Sequence, residues 1–258
     1  MIRVEQAEFA YGERKVLHGV SFEARAGQLY GILGPNGSGK TTLARLVLGF
    51  LTPSAGGIRV ADRAVASYSR REFARAVAAV PQEMPVDFPF TVRELVLLGR
   101  TPHLGPLGLE AKSDLEAADE AMTLCGVAEL RDRPIHALSG GELRRAYVAR
   151  AIAQHAQALV CDEPTSGLDI HHQVSIFELL RAQAAAGRCV IAVVHDLNLA
   201  AAYCDRLLLL RAGATVAEGS VEDVLTYRVV REAYDVDVYV GVNEITGKRF
   251  LIPMTPRQ

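Results

Sequence analysis

The stretch that most constrains the fold of this chain is residues 34–41, which read GPNGSGKT. They fit the pattern G-x-x-x-x-G-K-[ST] and lie between an apolar run at residues 28–33 and a helical pattern that starts near Lys40. Glycines in such a turn let backbone N–H groups converge on a phosphate, and the following helix N-terminus adds partial positive charge. A glycine-rich turn before a capped helix is the alternative, but the flanking strand and helix favour a phosphate-binding loop.

Lys40 and Thr41 carry the functional side chains of this loop. A lysine at this position reaches the outer phosphates of a nucleotide, and the threonine hydroxyl can ligate Mg²⁺. The segment therefore predicts a nucleotide-binding protein. The predicted binding residues are those of the loop and the start of the helix: Gly34, Pro35, Asn36, Gly37, Ser38, Gly39, Lys40, Thr41 and Thr42.

Composition and charge exclude other classes of protein. Half of the 258 residues are hydrophobic, and 28 Lys and Arg against 30 Asp and Glu give a net charge of −2. Such a chain can bury a full core, and without a basic excess it is not expected to bind nucleic acid. Its uncharged stretches are too short to cross a bilayer, and residues 1–5 do not resemble a secretion signal, so we expect a cytoplasmic protein. The cysteines are expected to be buried thiols: Cys125, Cys161, Cys189 and Cys204.

Periodicity divides the chain into an α/β part and a helical part. Short apolar runs separated by turn signals predict strands at residues 2–11, 19–24, 28–33, 58–60 and 77–80, and strands alternate with helices again from residue 158. Residues 215–253 are expected to hold two short helices and two terminal strands. This order predicts an α/β fold with a mostly parallel sheet in residues 1–88 and 155–258, and an inserted helical sub-domain in residues 89–154. The helical runs of that insertion lie at residues 91–98, 112–125 and 142–154.

Two carboxylates follow the apolar run at residues 158–161, which is typical of a buried central strand. A solvated strand end with two acidic residues is one interpretation. In a chain with a phosphate-binding loop, however, Asp162 is expected to hold Mg²⁺ through water, and Glu163 to accept a proton from an attacking water.

The sequence LSGGE at residues 138–142 precedes a helical run. Ser139 and Glu142 have the spacing of a capping box, in which each side chain accepts the other residue's backbone N–H. The turn also contains Gly140 and Gly141, which can expose helix N-terminal N–H groups to an anion. These residues by themselves leave both interpretations open, a helix cap or a phosphate-binding surface.

Taken in order along the chain, six motifs resemble those of the nucleotide-binding subunit of an ABC transporter. They are GPNGSGKTT at residues 34–42, Gln82, LSGGE, ALVCDEP at residues 158–164, SGLD at residues 166–169, and His195. The resemblance covers nearly the whole chain. It implies a P-loop NTPase fold with a mostly parallel sheet core, an N-terminal antiparallel β sub-domain and the inserted helical sub-domain.

The resemblance also implies a role for each matching residue, with ATP and Mg²⁺ as ligands. Glu163 would be the general base, His195 would hold the γ-phosphate and the attacking water, and Gln82 would contact Mg²⁺ or water. Tyr11, at the end of the first strand, would stack on adenine, and Asp169 would communicate across a dimer interface. In that head-to-tail dimer with a second copy, ATP lies between the phosphate loop of one subunit and the LSGGE segment of the other, which contributes Ser139, Gly140, Gly141 and Glu142.

Three further segments, at residues 91–103, 168–173 and 246–253, are similar to those of importers of ferric siderophores, haem and cobalamin. This resemblance implies separate transmembrane permease subunits, an extracytoplasmic substrate-binding protein, and a peripheral location on the cytoplasmic face of the plasma membrane. Glu142 stands where glutamine is commonest in the family, yet every group required for hydrolysis is present. The alternatives are an ABC ATPase for another substrate, a soluble ABC ATPase acting on ribosomes or DNA, and a small-molecule kinase, although a kinase would not explain LSGGE or SGLD.

Overall fold

The computed structural model describes residues 1–84, 89–105 and 108–254. Strands are concentrated towards both ends of the chain, and most of the long helices lie between them. In chain order, the strands and α-helices are β1 (Ile2–Tyr11), β2 (Arg14–Ala24), β3 (Leu29–Leu33), α1 (Lys40–Val47), β4 (Ala55–Val60), β5 (Arg63–Ala64), α2 (Arg70–Ala76), β6 (Val77–Val80), α3 (Val92–Leu97), α4 (Lys112–Leu124), α5 (Gly140–Ala153), β7 (Ala158–Asp162), α6 (Ile170–Ala185), β8 (Cys189–Val193), α7 (Leu197–Tyr203), β9 (Arg206–Arg211), β10 (Ala214–Ser220), α8 (Val221–Val224), α9 (Tyr227–Tyr234), β11 (Val238–Val242) and β12 (Arg249–Pro253).

The chain forms two compact units. The first unit combines Met1–Ser67 with Leu180–Gln258, and the second is Tyr68–Leu179. The helical sub-domain of residues 89–154 lies within the range of the second unit, and its boundaries stay a prediction. The predicted boundary at residue 88 falls outside the described residues.

The N-terminal part of the first unit is an antiparallel sheet in the order β2-β1-β4-β5. Its buried face alternates along β1, where Ile2 and Val4 are 0% and 1% exposed, and continues on β2 at Leu17 and Val20. This period of two is what directs one face of each strand into the core. The antiparallel β sub-domain implied by the resemblance is confirmed.

The first unit also contains parallel strands, in which β3 lies between β8 and β9. All five residues of β3 are buried, as expected for a strand covered on both faces. The register pairs Ile32 with Val193, so β3 and β8 end at the same edge of the sheet. The phosphate loop and His195 follow these two strands directly.

The second unit pairs β6 with β7 in parallel and packs α3, α4 and α5 against one another. A buried ion pair joins the helices, since the Arg100 Nε lies 2.9 Å from the Asp114 Oδ1 and both side chains are less than 10% exposed. The Arg100 Nη1 also donates to the carbonyl of Ala153 at 2.7 Å, which ties the end of α5 to the same pair. Because the charges are paired and hydrogen-bonded, their burial is tolerated.

Three local features differ from the sequence expectations. Strand β2 begins at Arg14, whereas the sequence predicts a start at Gly19. Gly19 takes a φ of 78° at a bulge inside the strand, so the strand continues on both sides of it. Strand β10 was not predicted, because residues 215–253 were expected to hold only two short helices and two terminal strands. It pairs antiparallel with β9. Helix α2 was not predicted, since its seven residues carry a capping box but too short a pattern.

The four cysteines are buried, as expected, and burial raises the pKa of the Cys125 and Cys204 thiols to about 12. They are therefore protonated thiols at neutral pH. Within residues 1–84, 89–105 and 108–254, none of the helices combines the length and the apolar character that a membrane span requires.

Candidate functional site

The phosphate loop in the first unit is stabilised by its own lysine. Lys40, the first residue of α1, is 5% exposed, and its Nζ donates to the carbonyls of Gly34 at 2.8 Å and Pro35 at 3.0 Å. A buried ammonium group held by the loop backbone is placed to meet negative charge that enters the loop. Thr41 follows on the same helix turn and is half-buried, while Asn36 and Gly37 at the loop tip are exposed.

Gly34 is required by close packing as well as by its φ of 148°. A Cβ at this position would lie 2.6 Å from the Ser38 Oγ and would overlap the carbonyl of Leu210. The Ser38 Oγ is itself buried and has no hydrogen-bond partner among the described residues. A buried, unpartnered hydroxyl at a helix N-terminus fits a ligand with acceptor oxygens, such as a phosphate.

His195 and Tyr11 are the other predicted site residues of the first unit, and both side chains are exposed. The parallel pairing continues to Val194, whose N–H donates to the Ile32 carbonyl at 3.0 Å, so His195 leaves the same sheet edge as the phosphate loop. Tyr11 is 46% exposed and packs edge-on against Phe9 at 4.8 Å between ring centroids. Nearly half of the Tyr11 side chain is therefore accessible to a ligand.

The carboxyl ends of β6 and β7 bring two predicted catalytic residues of the second unit together. The register pairs Val80 with Cys161, so Gln82 and Glu163 both follow the last paired residues by the same distance along the chain. The Gln82 Nε2 donates to the Glu163 Oε2 at 2.8 Å. Asp162, the last residue of β7, is 6% exposed.

Glu163 has a backbone φ of 51°, in the left-handed region that residues other than glycine rarely adopt. Its carbonyl accepts the N–H of Ser166 at 3.2 Å, which closes a tight turn directly after the strand. Strained backbone of this kind is retained where the surrounding structure holds it, and it recurs at functional sites. The Glu163 carboxylate, carried by this turn, accepts the hydrogen bond from Gln82.

The LSGGE segment forms the capping box that its spacing predicts. The Ser139 N–H donates to the Glu142 Oε2 at 2.7 Å, and the Glu142 N–H donates to the Ser139 Oγ at 3.3 Å. The first of these bonds lowers the pKa of the Glu142 carboxyl below its ordinary value. Ser139 and Gly140 remain exposed at the start of α5, so the turn is accessible to a ligand from outside.

Asp169 is linked to the LSGGE segment by His172, which was not predicted as a site residue. The Asp169 Oδ1 lies 2.8 Å from the His172 Nδ1 and accepts the His172 N–H at 3.0 Å. These bonds lower the pKa of the Asp169 carboxyl. The His172 ring covers Gly141, because a Cβ there would lie 2.7 Å from the His172 Nε2.

Arg144 is a second residue that sequence reasoning missed. It is a 9% exposed cation on α5 that donates to the loops carrying Gln82 and Ser166. The signal was present in the sequence, since Arg144 shares a helix face with Tyr147, Val148 and Ala151, all of them buried. A charged residue on an apolar helix face needs polar partners from other elements.

Comparisons with known proteins agree with this arrangement. A sequence profile described as ABC transporter matches residues 17–166. A hemin import ATP-binding protein of Streptomyces coelicolor is 43% identical over 242 residues, which cover 94% of this chain and 86% of that protein. A cobalamin import ATP-binding protein of Halobacterium salinarum is 41% identical over 244 residues, which cover 94% of this chain. This chain spans 61% of the length of that halobacterial relative.

Solved structures give the same result. A structure described as an inward-facing metal-chelate type ABC transporter matches with a TM-score of 0.87 at 26% identity, over 99% of this chain and 98% of that one. An ATP-binding cassette of an ABC transporter in its ADP conformation matches with a TM-score of 0.80 at 28% identity, over 91% and 98%. The predicted P-loop NTPase fold is confirmed, and the profile, the relatives and the phosphate loop together establish that the chain belongs to the ABC transporter family.

Proposed function

We propose that this chain is the ATP-hydrolysing subunit of an ABC importer, and that it powers uptake of a metal chelate or of cobalamin through a separate permease. The metal chelate would be a ferric siderophore or haem. The observation that carries the proposal is the phosphate loop, where buried Lys40 and the Ser38 hydroxyl, which has no partner within the described part of the chain, favour a phosphate ligand. ATP is the substrate that an importer motor of this family would hydrolyse.

Binding and turnover fall to different residues in this proposal. The phosphate loop binds the β- and γ-phosphates, and Tyr11 stacks on the adenine. Glu163 is the general base that accepts a proton from the attacking water, and His195 orients the γ-phosphate and that water. The 2.8 Å bond from Gln82 to Glu163 supports this assignment, because it holds a carboxylate oxygen in a defined position at the end of a buried strand.

A magnesium ion fits the donor set that these residues offer. Thr41, Gln82 and Asp162 supply hydroxyl, amide and carboxylate oxygens, which are the ligands that Mg²⁺ prefers. Asp162 is 6% exposed at a strand end, where a nearby cation would offset the cost of burying its charge. When bound, Mg²⁺ would neutralise charge on the phosphates during transfer.

The proposed partners are a second copy of this chain and a permease. In the dimer, the exposed turn at Ser139 and Gly140 would cover ATP bound to the partner's phosphate loop, and Asp169 would lie at the interface. For the permease, the second unit offers an apolar cleft of about 360 Å³ lined by Phe90, Leu95 and Leu98, of which Leu98 is 45% exposed. Docking there would hold the chain at the cytoplasmic face of the plasma membrane, and the permease would receive cargo from an extracytoplasmic binding protein.

The cargo class is supported by the names of the relatives, which are described as hemin and cobalamin import proteins. The test is uptake of labelled ferric siderophores, haem and cobalamin in the native cell, in wild type and with a chromosomal Glu163→Gln substitution. We expect accumulation of one of these compounds to be lost in the variant. The matched control is Glu178→Gln, an exposed carboxylate on α6, which should leave uptake unchanged.

The outcomes distinguish the assignment of ATPase activity from the assignment of the cargo class. Loss of uptake of one compound identifies the substrate and supports an importer. Unchanged uptake of all three, with the variant protein present at wild-type level, would contradict this cargo class and favour another substrate or a role outside transport. Phosphate release by the purified protein then shows whether the ATPase activity itself stands.

A further inference from the structure

Arg144 is a buried charge that the proposed chemistry does not use. It lies on α5 beyond the LSGGE segment, and it is 9% exposed. Burial lowers the pKa of its guanidinium, and the nearby Glu163 carboxylate opposes that shift. Arginine nevertheless stays protonated in proteins, so this helix carries a fixed positive charge in its buried face.

The guanidinium bridges two loops. Its Nη1 donates to the carbonyls of Pro81 at 3.4 Å and Gln82 at 3.3 Å, and its Nη2 donates to the carbonyl of Ser166 at 3.3 Å. Each of these bonds is at the long end of the hydrogen-bonding range. The restraint therefore comes from their number and from the planar fork of donors, which lysine and glutamine do not have.

These bonds close a ring that we call the Arg144 circuit, formed by Gln82, Arg144, Glu163 and Ser166. Arg144 donates to the backbone carbonyl of Gln82, and the side chain of Gln82 donates to the Glu163 Oε2 at 2.8 Å. The Ser166 N–H donates to the Glu163 carbonyl at 3.2 Å, and the Ser166 carbonyl accepts from Arg144. Movement of α5 relative to either loop must lengthen at least one of these bonds.

We infer that Arg144 is a positioning residue, which sets the orientation of Gln82 and Glu163 and couples both to the helix that begins at the LSGGE segment. This inference rests on the proposed function, since it assigns a role in ATP turnover to a residue whose described hydrogen bonds go to backbone carbonyls. It predicts that Arg144 affects the rate of turnover and leaves ATP affinity nearly unchanged. It also predicts that its effect depends on Gln82.

The test is a double-mutant cycle on the purified full chain, in which kcat and KM for ATP are measured for wild type, Arg144→Gln, Gln82→Ala and the double variant. Displacing catalytic groups by about 1 Å can cost roughly 100-fold in rate, so we expect Arg144→Gln to lower kcat about 10- to 100-fold. KM for ATP should change less than about threefold. In the Gln82→Ala background the loss caused by Arg144→Gln should be at least about threefold smaller, because neighbours in one network are not additive.

The matched control is Arg145→Gln, the next residue on α5, whose side chain makes no described hydrogen bond to the loops of Gln82 or Glu163. It should leave kcat within about threefold of wild type, because its half-buried side chain lies outside the Arg144 circuit. Arg144→Lys keeps the charge with fewer donors, so it should retain part of kcat. It replaces Arg144→Gln in the test if that variant folds poorly.

Three results would overturn the inference: a wild-type kcat in Arg144→Gln, fully multiplicative losses in the double variant, or a matching loss in Arg145→Gln. Absence of ATP turnover in the wild type would instead contradict the proposed function, and the inference with it.

Discussion

The phosphate loop and the Arg144 circuit reach their geometry by opposite routes. In the loop, Lys40 donates to carbonyls five and six residues before it, so these bonds lie within one short segment. In the circuit, the bond between Gln82 and Glu163 joins residues 81 positions apart, and Arg144 bridges separations of 62 and 22. The lysine bonds are local, while the circuit exists only when β6 and β7 pair in the correct register.

The difference teaches how binding and turnover can be separated in this chain. A local loop keeps its shape when distant parts of the molecule change, which suits the residues that bind a ligand. A circuit assembled from several elements responds to movement of any one of them, which suits residues that must be switched on and off. Variants in the phosphate loop should therefore lower ATP affinity, and variants in the Arg144 circuit should lower the rate of turnover.

Among the effects on ligand binding and stability, the largest is expected at the phosphate loop. Lys40→Ala removes a buried charge that would be paired with phosphate, which costs about 2–5 kcal/mol and raises the Kd for ATP about 30-fold or more. Calorimetric titration of ATP into the purified protein measures this Kd. Lys112→Ala removes a lysine whose side chain is 90% exposed and should leave the Kd unchanged. Undiminished affinity in Lys40→Ala would contradict the assignment of the loop.

A smaller effect, on the free energy of unfolding, is expected at the LSGGE segment. Alanine substitutions at its two neighbouring glycines should change this free energy in opposite directions. A methyl group at Gly141 meets the His172 ring, which Asp169 holds, so Gly141→Ala should lower the free energy of unfolding by about 1–3 kcal/mol. At Gly140 a Cβ would make only an ordinary van der Waals contact with Leu168, at 3.9 Å, and alanine should stabilise the helix by up to about 1 kcal/mol. Denaturant unfolding of both variants checks this. Equal effects at the two positions would show that His172 does not restrict the turn.

The smallest effect is a pH-dependent contribution from Glu142, whose pKa is lowered by the Ser139 N–H. A lowered folded-state pKa stabilises the protein above the unfolded value of about 4.3 and loses that contribution as the pH falls through the folded value. Glu142→Gln keeps the capping geometry without charge and should cost about 0.3–1 kcal/mol near pH 7.

Thermal unfolding between pH 7 and pH 3 tests this dependence, and the difference between wild type and Glu142→Gln should vanish in the acid range. Glu129→Gln, at an exposed carboxylate, is the control and should track the wild type throughout. A difference that stays constant down to pH 3 would assign the effect to shape rather than charge.

The comparison also explains how far the sequence predicts this molecule. The strand before the phosphate loop, the loop itself and α1 follow from apolar periodicity and glycine positions within one short segment. The paired strands β6 and β7 were also predicted, but the bond between Gln82 and Glu163 depends on their register, which a single sequence does not specify. Arg144 was missed because its partners come from other loops of the second unit, and His172 because the glycine that its ring covers, Gly141, is distant in the sequence. Strand β10 was missed because its small residues and Gly219 give a weak alternation.

The central claim is that Glu163 acts as the base for hydrolysis of ATP held by the phosphate loop. The most direct measurement is a single-turnover experiment, in which bound ATP and released phosphate are followed in wild type and in Glu163→Gln. The account predicts that the variant binds ATP with near-normal affinity and releases phosphate about 100- to 10,000-fold more slowly than wild type. Phosphate release at the wild-type rate in Glu163→Gln would contradict it.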